Sequence, residues 1–298
     1  MRVPLAPGRD PSRTFSALCL CLSVVAGALL GGCEGDPKVA RGAVIKTHVP
    51  AVIEALRGDL SRHRAGLQEA AGRVAPGFGV EDKAAREDGL RYALRYLQLP
   101  PRGIPEFVVS PMSFLAVLDE NGVVIARDLK KKEDDHMRGM ELAERFASVK
   151  RALSEGRSTE ELVSFSEEAA AEKTYTMIFV EPVRREGKVV GAVMAGIPLW
   201  RWAQRMSRQG QMELTKEPRA VYWVFAYHGD KNYPPQQGLD LAGAIPNAAS
   251  RKASLAKSPK GYTGQVNQFG RWYVYGVLPV PSIAPDAGFV IVRAEPME

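Results

Sequence analysis

Cysteine is nearly absent from this chain. Only Cys19, Cys21 and Cys33 occur in 298 residues, and the first two lie inside an apolar amino-terminal run. A single cysteine beyond that run supports neither a disulfide framework nor a thiolate metal site. Histidine is almost as scarce: His48, His63, His136 and His228 show no short spacing, so the pattern holds no zinc-type ligand set. Long apolar runs stop at residue 30, and no later segment approaches the ~20 apolar residues that a membrane-spanning helix needs. Strong charge of one sign is missing too. The formal charge is +6, and the densest cluster, "DLKKKEDDHMR" at 128–138, mixes acids with bases. It reads as a solvated loop, with no nucleic-acid partner expected. No Gly-x-Ser-x-Gly, phosphate-binding loop or dinucleotide fingerprint occurs. "SLAK" at 254–257 has the Ser-x-x-Lys spacing of acyl-transferring enzymes but no Ser-Asp-Asn or Lys-Thr-Gly companion downstream. Neither an enzyme nor a cofactor is expected.

What is present begins with a leader. Arg2, Arg9 and Arg13 precede the uncharged stretch "FSALCLCLSVVAGALL", which is too short and wrongly flanked for a stable transmembrane helix. "LGGC" follows at 30–33. It resembles the lipobox of bacterial lipoproteins. That resemblance implies a signal peptide at 1–32, cut before Cys33, with the Cys33 thiol diacylated and the new amino terminus acylated by palmitate-class chains. Several acyl chains, at roughly 0.8 kcal/mol per buried methylene, exceed what stable anchoring needs. The expected location is the cell envelope, on a membrane surface facing periplasm or exterior; Glu34 leaves the choice of inner or outer membrane open.

The remaining chain divides by composition. A polar lipidated tether is expected at 33–45 and a helical stalk at 46–104. In the stalk Val52, Leu56, Leu60, Leu67, Ala71 and Val74 recur at spacings of three, four and seven. "APGFG" ends that helix, and a second one runs from near Asp82 to Pro100-Pro101. Next comes "FLAVLDENGVVIARD", two apolar runs around an Asp-Glu-Asn-Gly turn, which reads as a hairpin whose first strand is covered on both faces. Leu142, Phe146, Val149 and Leu153 mark a helix closed by Gly156. Ser158 with Glu161 reads as a capping box for a further helix. "TYTMIFVEPVRREGKVVGAVMAGIPL" gives two strands around a charged turn. This order repeats: "AVYWVFAYHGDKNY", a short helical piece "LDLAGAI", then "GRWYVYGVLPVPSIAPDAGFVIVRAEP" as two closing strands. The expected units are a first module at 105–200, a connecting helix at 201–218 and a second module at 219–298.

A long amino-terminal helix leading into "LAVLDENGVVIAR", an intervening helical stretch and "EPVRREGKVVGAVMAGIPL" resembles the extracytoplasmic Cache sensor domains of bacterial chemoreceptors and histidine kinases. The doubling makes it similar to their double-Cache form. The resemblance implies an α+β fold in which a long amino-terminal helix is followed by two PAS-like modules, each with an antiparallel sheet of about five strands. It also implies a small-molecule ligand (an amino acid, carboxylate or amine) held in a cup between sheet and loops, usually in the membrane-distal module. Unlike that family, no second transmembrane helix and no cytoplasmic output follow here, so any signal is expected to pass to an envelope partner. Candidate ligand-binding residues sit at the ends of the expected strands. In the first module these are Arg127, Asp128, Tyr175 and Glu181, with an arginine able to fork a carboxylate. In the second, Tyr222, Trp223, Phe225, Tyr227, Trp272, Tyr273 and Tyr275 make the strands unusually aromatic, and Trp223, Arg271 and Tyr273 form a candidate aromatic cage. The family's Arg-x-Trp-Tyr signature is not matched, since "RWY" lacks the spacer. The expectation is a lipid-anchored sensing protein; the alternative is a structural or assembly lipoprotein with a collapsed pocket. If Cys33 carries the anchor, Cys33→Ser should abolish incorporation of labelled palmitate and release the protein from the membrane fraction.

Overall fold

The computed structural model describes residues 37–108, 110–165, 174–214, 220–236, 243–268 and 270–294. The leader, the "LGGC" motif with Cys33, and most of "LDLAGAI" lie outside the described residues.

Four helical segments follow one another at the amino-terminal end: α1 (Pro37–Ala43), a π-helical turn (Val44–His48), α2 (Val49–Val74) and a 3-10 turn (Ala75–Gly79). Pro50 cannot donate a backbone hydrogen bond, and its ring crowds the carbonyl four residues back. The π turn lies immediately before it, in the place where a helix relieves such a conflict. The expected tether is therefore corrected from residue 37 onward. Ala40 and Val44 are buried with Val274 of the second sheet, and that burial makes this stretch helix. Further along, α2 buries Val52, Leu56, Leu67 and Val74 in an apolar cluster that takes in residues of both sheets. α3 (Lys83–Tyr96) begins where the Asp82 carboxylate accepts the Ala85 amide at 2.7 Å, an N-cap, and the short α4 (Pro105–Val108) follows it.

The first sheet runs β2-β1-β5-β4-β3, all neighbours antiparallel. Its strands are β1 (Phe114–Asp119), β2 (Val124–Arg127), β3 (Thr159–Phe165), β4 (Thr174–Arg185) and β5 (Lys188–Pro198). Asp119 shapes the first turn by accepting the amides of Asn121 and Val123, both at 2.9 Å. In the β4–β5 hairpin Glu186 and Gly187 both take positive φ, 52° and 81°, the I′ geometry that suits the strand twist. α5 (Ala147–Glu155) lies between β2 and β3 and ends at Gly156 with φ 63°.

The second sheet runs β7-β6-β10-β9-β8, the same relative order as the first. Its strands are β6 (Val221–His228), β7 (Lys231–Tyr233), β8 (Tyr262–Gln268), β9 (Arg271–Pro279) and β10 (Ala287–Ala294), with α7 (Ala248–Lys257) preceding β8. Two antiparallel sheets of like topology behind a long helix give the expected α+β architecture.

One expectation fails outright. Residues 159–165 are strand β3, paired along β4 from Thr159 with Val180 to Phe165 with Thr174. The Ser158 hydroxyl donates to Glu181 on β4, and Glu161 accepts the Ser148 amide at the start of α5, 2.9 Å away. Alternation puts Val163 and Phe165 on one buried face, so pairing and burial override the local capping signal.

α6 (Leu199–Glu213) joins the modules. Trp202, Ala203 and Met206 are buried in a core that includes Val117 and Phe179 of the first sheet and Val224 and Ile291 of the second. The Ser207 hydroxyl donates to the Val224 carbonyl at 3.2 Å and accepts the Val224 amide at 2.7 Å. Gly210 carries no Cβ because one there would stand 2.0 Å from the Tyr222 ring. A shared core predicts shared unfolding. Trp202→Ala should cost about 3–5 kcal/mol, and urea unfolding followed by circular dichroism should move as one transition.

Candidate functional site

Each sheet has one face turned to the long helix and one turned away, and the outward faces are the two places where a cup can form. In the first module the outward face is filled. Phe114, Phe146 and Phe165 meet edge to face at centroid distances of 5.8 and 5.7 Å. Met137, Leu142, Val149 and Met194 are buried in the same cluster, and α5 lies close along β3, β4 and β5.

Arg127 pairs with Ala116 in the sheet, which puts its side chain on this outward face. Its guanidinium lies 5.7 Å from the Phe114 centroid, and Nη2 donates to the Ser113 carbonyl at 3.5 Å. Asp128 lies 3.5 Å from Arg127 Nε and accepts from Gln98 Nε2 at 2.6 Å. The structure thus brings Arg127 and Asp128 together, at the rim of a packed core. The neighbouring 128–138 segment is not simply solvated, as expected, because it is pinned to α3. Asp135 is buried and accepts from Arg91 at 3.0 Å and from the Arg127 amide at 3.1 Å. Glu87 pairs with Arg91, Lys132 and Arg138 at 2.8–3.1 Å. Burial pushes the Glu87 carboxyl upward, but hydrogen bonds from Lys132 and Arg91 outweigh it and hold the group below the usual range.

Tyr175 and Glu181 lie on the other face of the sheet. They alternate with Ile178 and Val180, so they share the helix-side face with Met177 and Phe179, opposite Arg127. Tyr175 packs on His228 of the second module at a centroid distance of 4.0 Å, and His228 Nε2 lies 3.0 Å from Asp286. Glu181 accepts from Ser158 beside a hollow of about 240 Å³, where Arg64 and Glu160 pair at 2.7 Å.

Trp223, Arg271 and Tyr273 do share the outward face of the second sheet. Trp223 pairs with Val292, which pairs with Tyr275; in the next row Phe225, Val290, Val277 and Tyr262 line up across four strands. The same alternation sends Tyr222 and Trp272 to the opposite face. Tyr222 lies there 4.6 Å from the His48 ring, and burial raises its pKa. Unlike the first module, Trp223, Tyr262, Tyr273 and Tyr275 are only half-buried, and α7 has no apposition to the strands comparable to that of α5.

The sequence reading missed Arg251, which reaches in from α7. It is buried, with its guanidinium 4.2 Å from the Tyr227 centroid; Nη2 donates to the Gly229 carbonyl at 2.6 Å and Nη1 to Asn232 Oδ1 at 3.1 Å. Burial lowers the Arg251 pKa, and burial pushes the Tyr227 hydroxyl up to about 12 despite the adjacent cation. That hydroxyl has no hydrogen-bond partner among the described residues. Arg271 lies at the other end, 5.9 Å from the Tyr273 centroid, with Nη2 donating to the Ala294 carbonyl at 3.5 Å. Nothing local in "SRKASLAK" marks Arg251. By contrast, the period-two spacing of Arg271, Tyr273 and Tyr275 does place those three together. Among the described residues no group of His, Cys, Asp and Glu could hold a metal ion, and no helix is long and apolar enough to cross a membrane.

No family model matches this sequence, and no curated protein matches it. Among solved structures it is similar to an extracellular ligand binding receptor from Desulfohalobium retbaense DSM5692, at 12% identity and a TM-score of 0.50, over 83% of this chain and 39% of that one. It is also similar to the V. cholerae histidine kinase DctB sensor domain, at 12% identity and a TM-score of 0.47, over 88% of this chain and 100% of that one. A third is the ligand-binding domain of the Pseudomonas fluorescens chemoreceptor CtaA, in complex with L-isoleucine, at 14% identity and a TM-score of 0.48, over 87% and 93%. The chain thus spans well under half the length of the first receptor. At such identities the likeness is one of fold alone, shared with part of that extracellular receptor.

Glu181 gives a testable sign. Burial raises its pKa despite the Ser158 hydrogen bond and the Arg184 charge. The folded state therefore holds the proton more tightly than the unfolded one, and the stability this contributes below pH 4.5 is lost as pH rises through the higher folded value. Glu181→Gln should accordingly melt no lower than the parent at pH 7, and any advantage should vanish at pH 4 in parallel thermal melts.

Proposed function

We propose that this chain is an extracytoplasmic small-molecule binding protein, anchored through Cys33, whose ligand site is the outward face of the second module. The observation that carries this reading is the contrast between the two faces. One is packed shut by its own phenylalanines, while the other keeps four aromatic rings half-buried beside an unpartnered tyrosine hydroxyl. Flat rings offer area at low entropic cost, and Arg251 and Arg271 bracket them. Two guanidinium groups disfavour a cationic ligand. Within the classes expected, carboxylates and amino acids bound through their carboxylate fit better than amines. Bound ligand would favour an arrangement in which α7 closes on the rings, and the core shared through α6 would carry that bias to an envelope partner. The filled first face supports a second reading, a scaffold lipoprotein with no ligand.

A thermal-shift screen of the chain from residue 37 onward separates the two readings. At 100 times its dissociation constant a ligand adds roughly 2.7 kcal/mol of stability. A binding protein should give one clear hit among amino acids, organic acids and amines, weakened about tenfold or more by Trp223→Ala and unchanged in Arg127→Ala. Silence across the panel favours the scaffold.

A further inference from the structure

A second concave feature lies away from both outward faces. α6 turns Trp202, Ala203, Met206, Ser207 and Gly210 inward. Arg201, Gln204, Arg205, Arg208 and Gln209, spaced three, four, seven and eight residues on, therefore share its outer side. Between this ridge and the segment at Ser110 runs a groove of about 460 Å³, and no carboxylate is among the described residues that line it. The wall opposite the ridge is fixed. The Ser110 hydroxyl is hydrogen-bonded to His63 Nε2, and His63 Nδ1 lies 2.7 Å from the Asp59 carbonyl oxygen. Burial lowers the His63 pKa, against the pull of the Asp59 carbonyl and carboxylate, which favours the uncharged ring.

The ridge is held in place. Arg201 Nη1 donates to the Met112 carbonyl at 2.6 Å, and Arg205 Nε lies 2.9 Å from Asp59. That one buried carboxylate also serves Arg62, at 2.6 Å. Arg208 is exposed, and neither it nor the amides of Gln204 and Gln209 has a hydrogen-bond partner among the described residues. Like charges at these spacings oppose a helix, whereas an anion between them reverses the sign of the interaction. Planar guanidinium groups meet carboxylate or phosphate oxygens in two-point contacts.

We propose that this groove is a binding site for a small di- or trianion, whose carboxylate or phosphate oxygens bridge Arg201, Arg205 and Arg208. The site is separate from the aromatic face and does not depend on that face binding anything. The test is isothermal titration of the full-length chain, purified in detergent, with citrate, succinate and inorganic phosphate, against acetate and chloride at matched ionic strength. Saturable binding of at least one polyanion is expected, weakened about tenfold or more by Arg208→Ala. Because Arg208 is exposed, that variant should melt with the parent. An equal response to every salt would mean screening alone and would overturn the proposal, as would an unchanged affinity in Arg208→Ala. Binding to phosphatidylcholine vesicles containing phosphatidylglycerol, with no response to the free anions, would assign the groove to lipid headgroups and overturn it equally.

Discussion

Burial of one face of α6 against both sheets is the contact on which the rest of this molecule depends. Trp202 is fully buried, and the apolar cluster around it runs from Val117 and Phe179 in one sheet to Val224 and Ile291 in the other without interruption. Each sheet needs a cover for its inward face, and a single helical layer of α2 and α6 supplies it for both. The modules are thus alike in strand order and joined in their core. A change in how α6 lies on one sheet is felt at the other through packed side chains.

With the inward faces committed to that core, the modules differ on their outward faces. The first spends its outward face on a second apolar cluster, closed by α5 and the 137–146 stretch. The second places bulky rings at every other position of β6 and β9 but brings no helix down upon them as closely. The same topology therefore gives one face that adds stability and one that retains accessible aromatic area. Arg251 makes the difference sharper: a buried cation reaching from α7 across Tyr227 occupies the level where apolar side chains fill the first module.

Much of the architecture was legible in the sequence because it rests on local periodicity. The spacing of Val52, Leu56, Leu67 and Val74, the Asp-Glu-Asn-Gly turn, Gly156 after a helix and the alternation through "GRWYVYG" each encode a conformation within a few residues. Errors arose where distant contacts decide. Residues 159–165 carry a helix-start signal but find a strand partner in β4, and 37–43 look like a polar leash until Val274 covers Ala40 and Val44. The facing of the candidate site residues is a matter of parity. Tyr175 and Glu181 sit at strand positions whose facing depends on register, and a one-residue difference sends a side chain to the opposite side of the sheet. Arg251 was invisible for another reason, since a basic residue on an amphipathic helix carries no mark of the ring it will cover.

The π turn at Val44–His48 has a geometric effect that reaches beyond Pro50. Successive residues of an α-helix are set about 100° apart around its axis, and a wider turn absorbs an extra residue without carrying the rotation onward. Ala40 and Val44 thus meet Val274 of the second sheet, while Val52 and Leu56 enter the cluster that both sheets share. Five residues act as a phase adjuster, keeping the rod's apolar side turned to its neighbours on either side of Pro50.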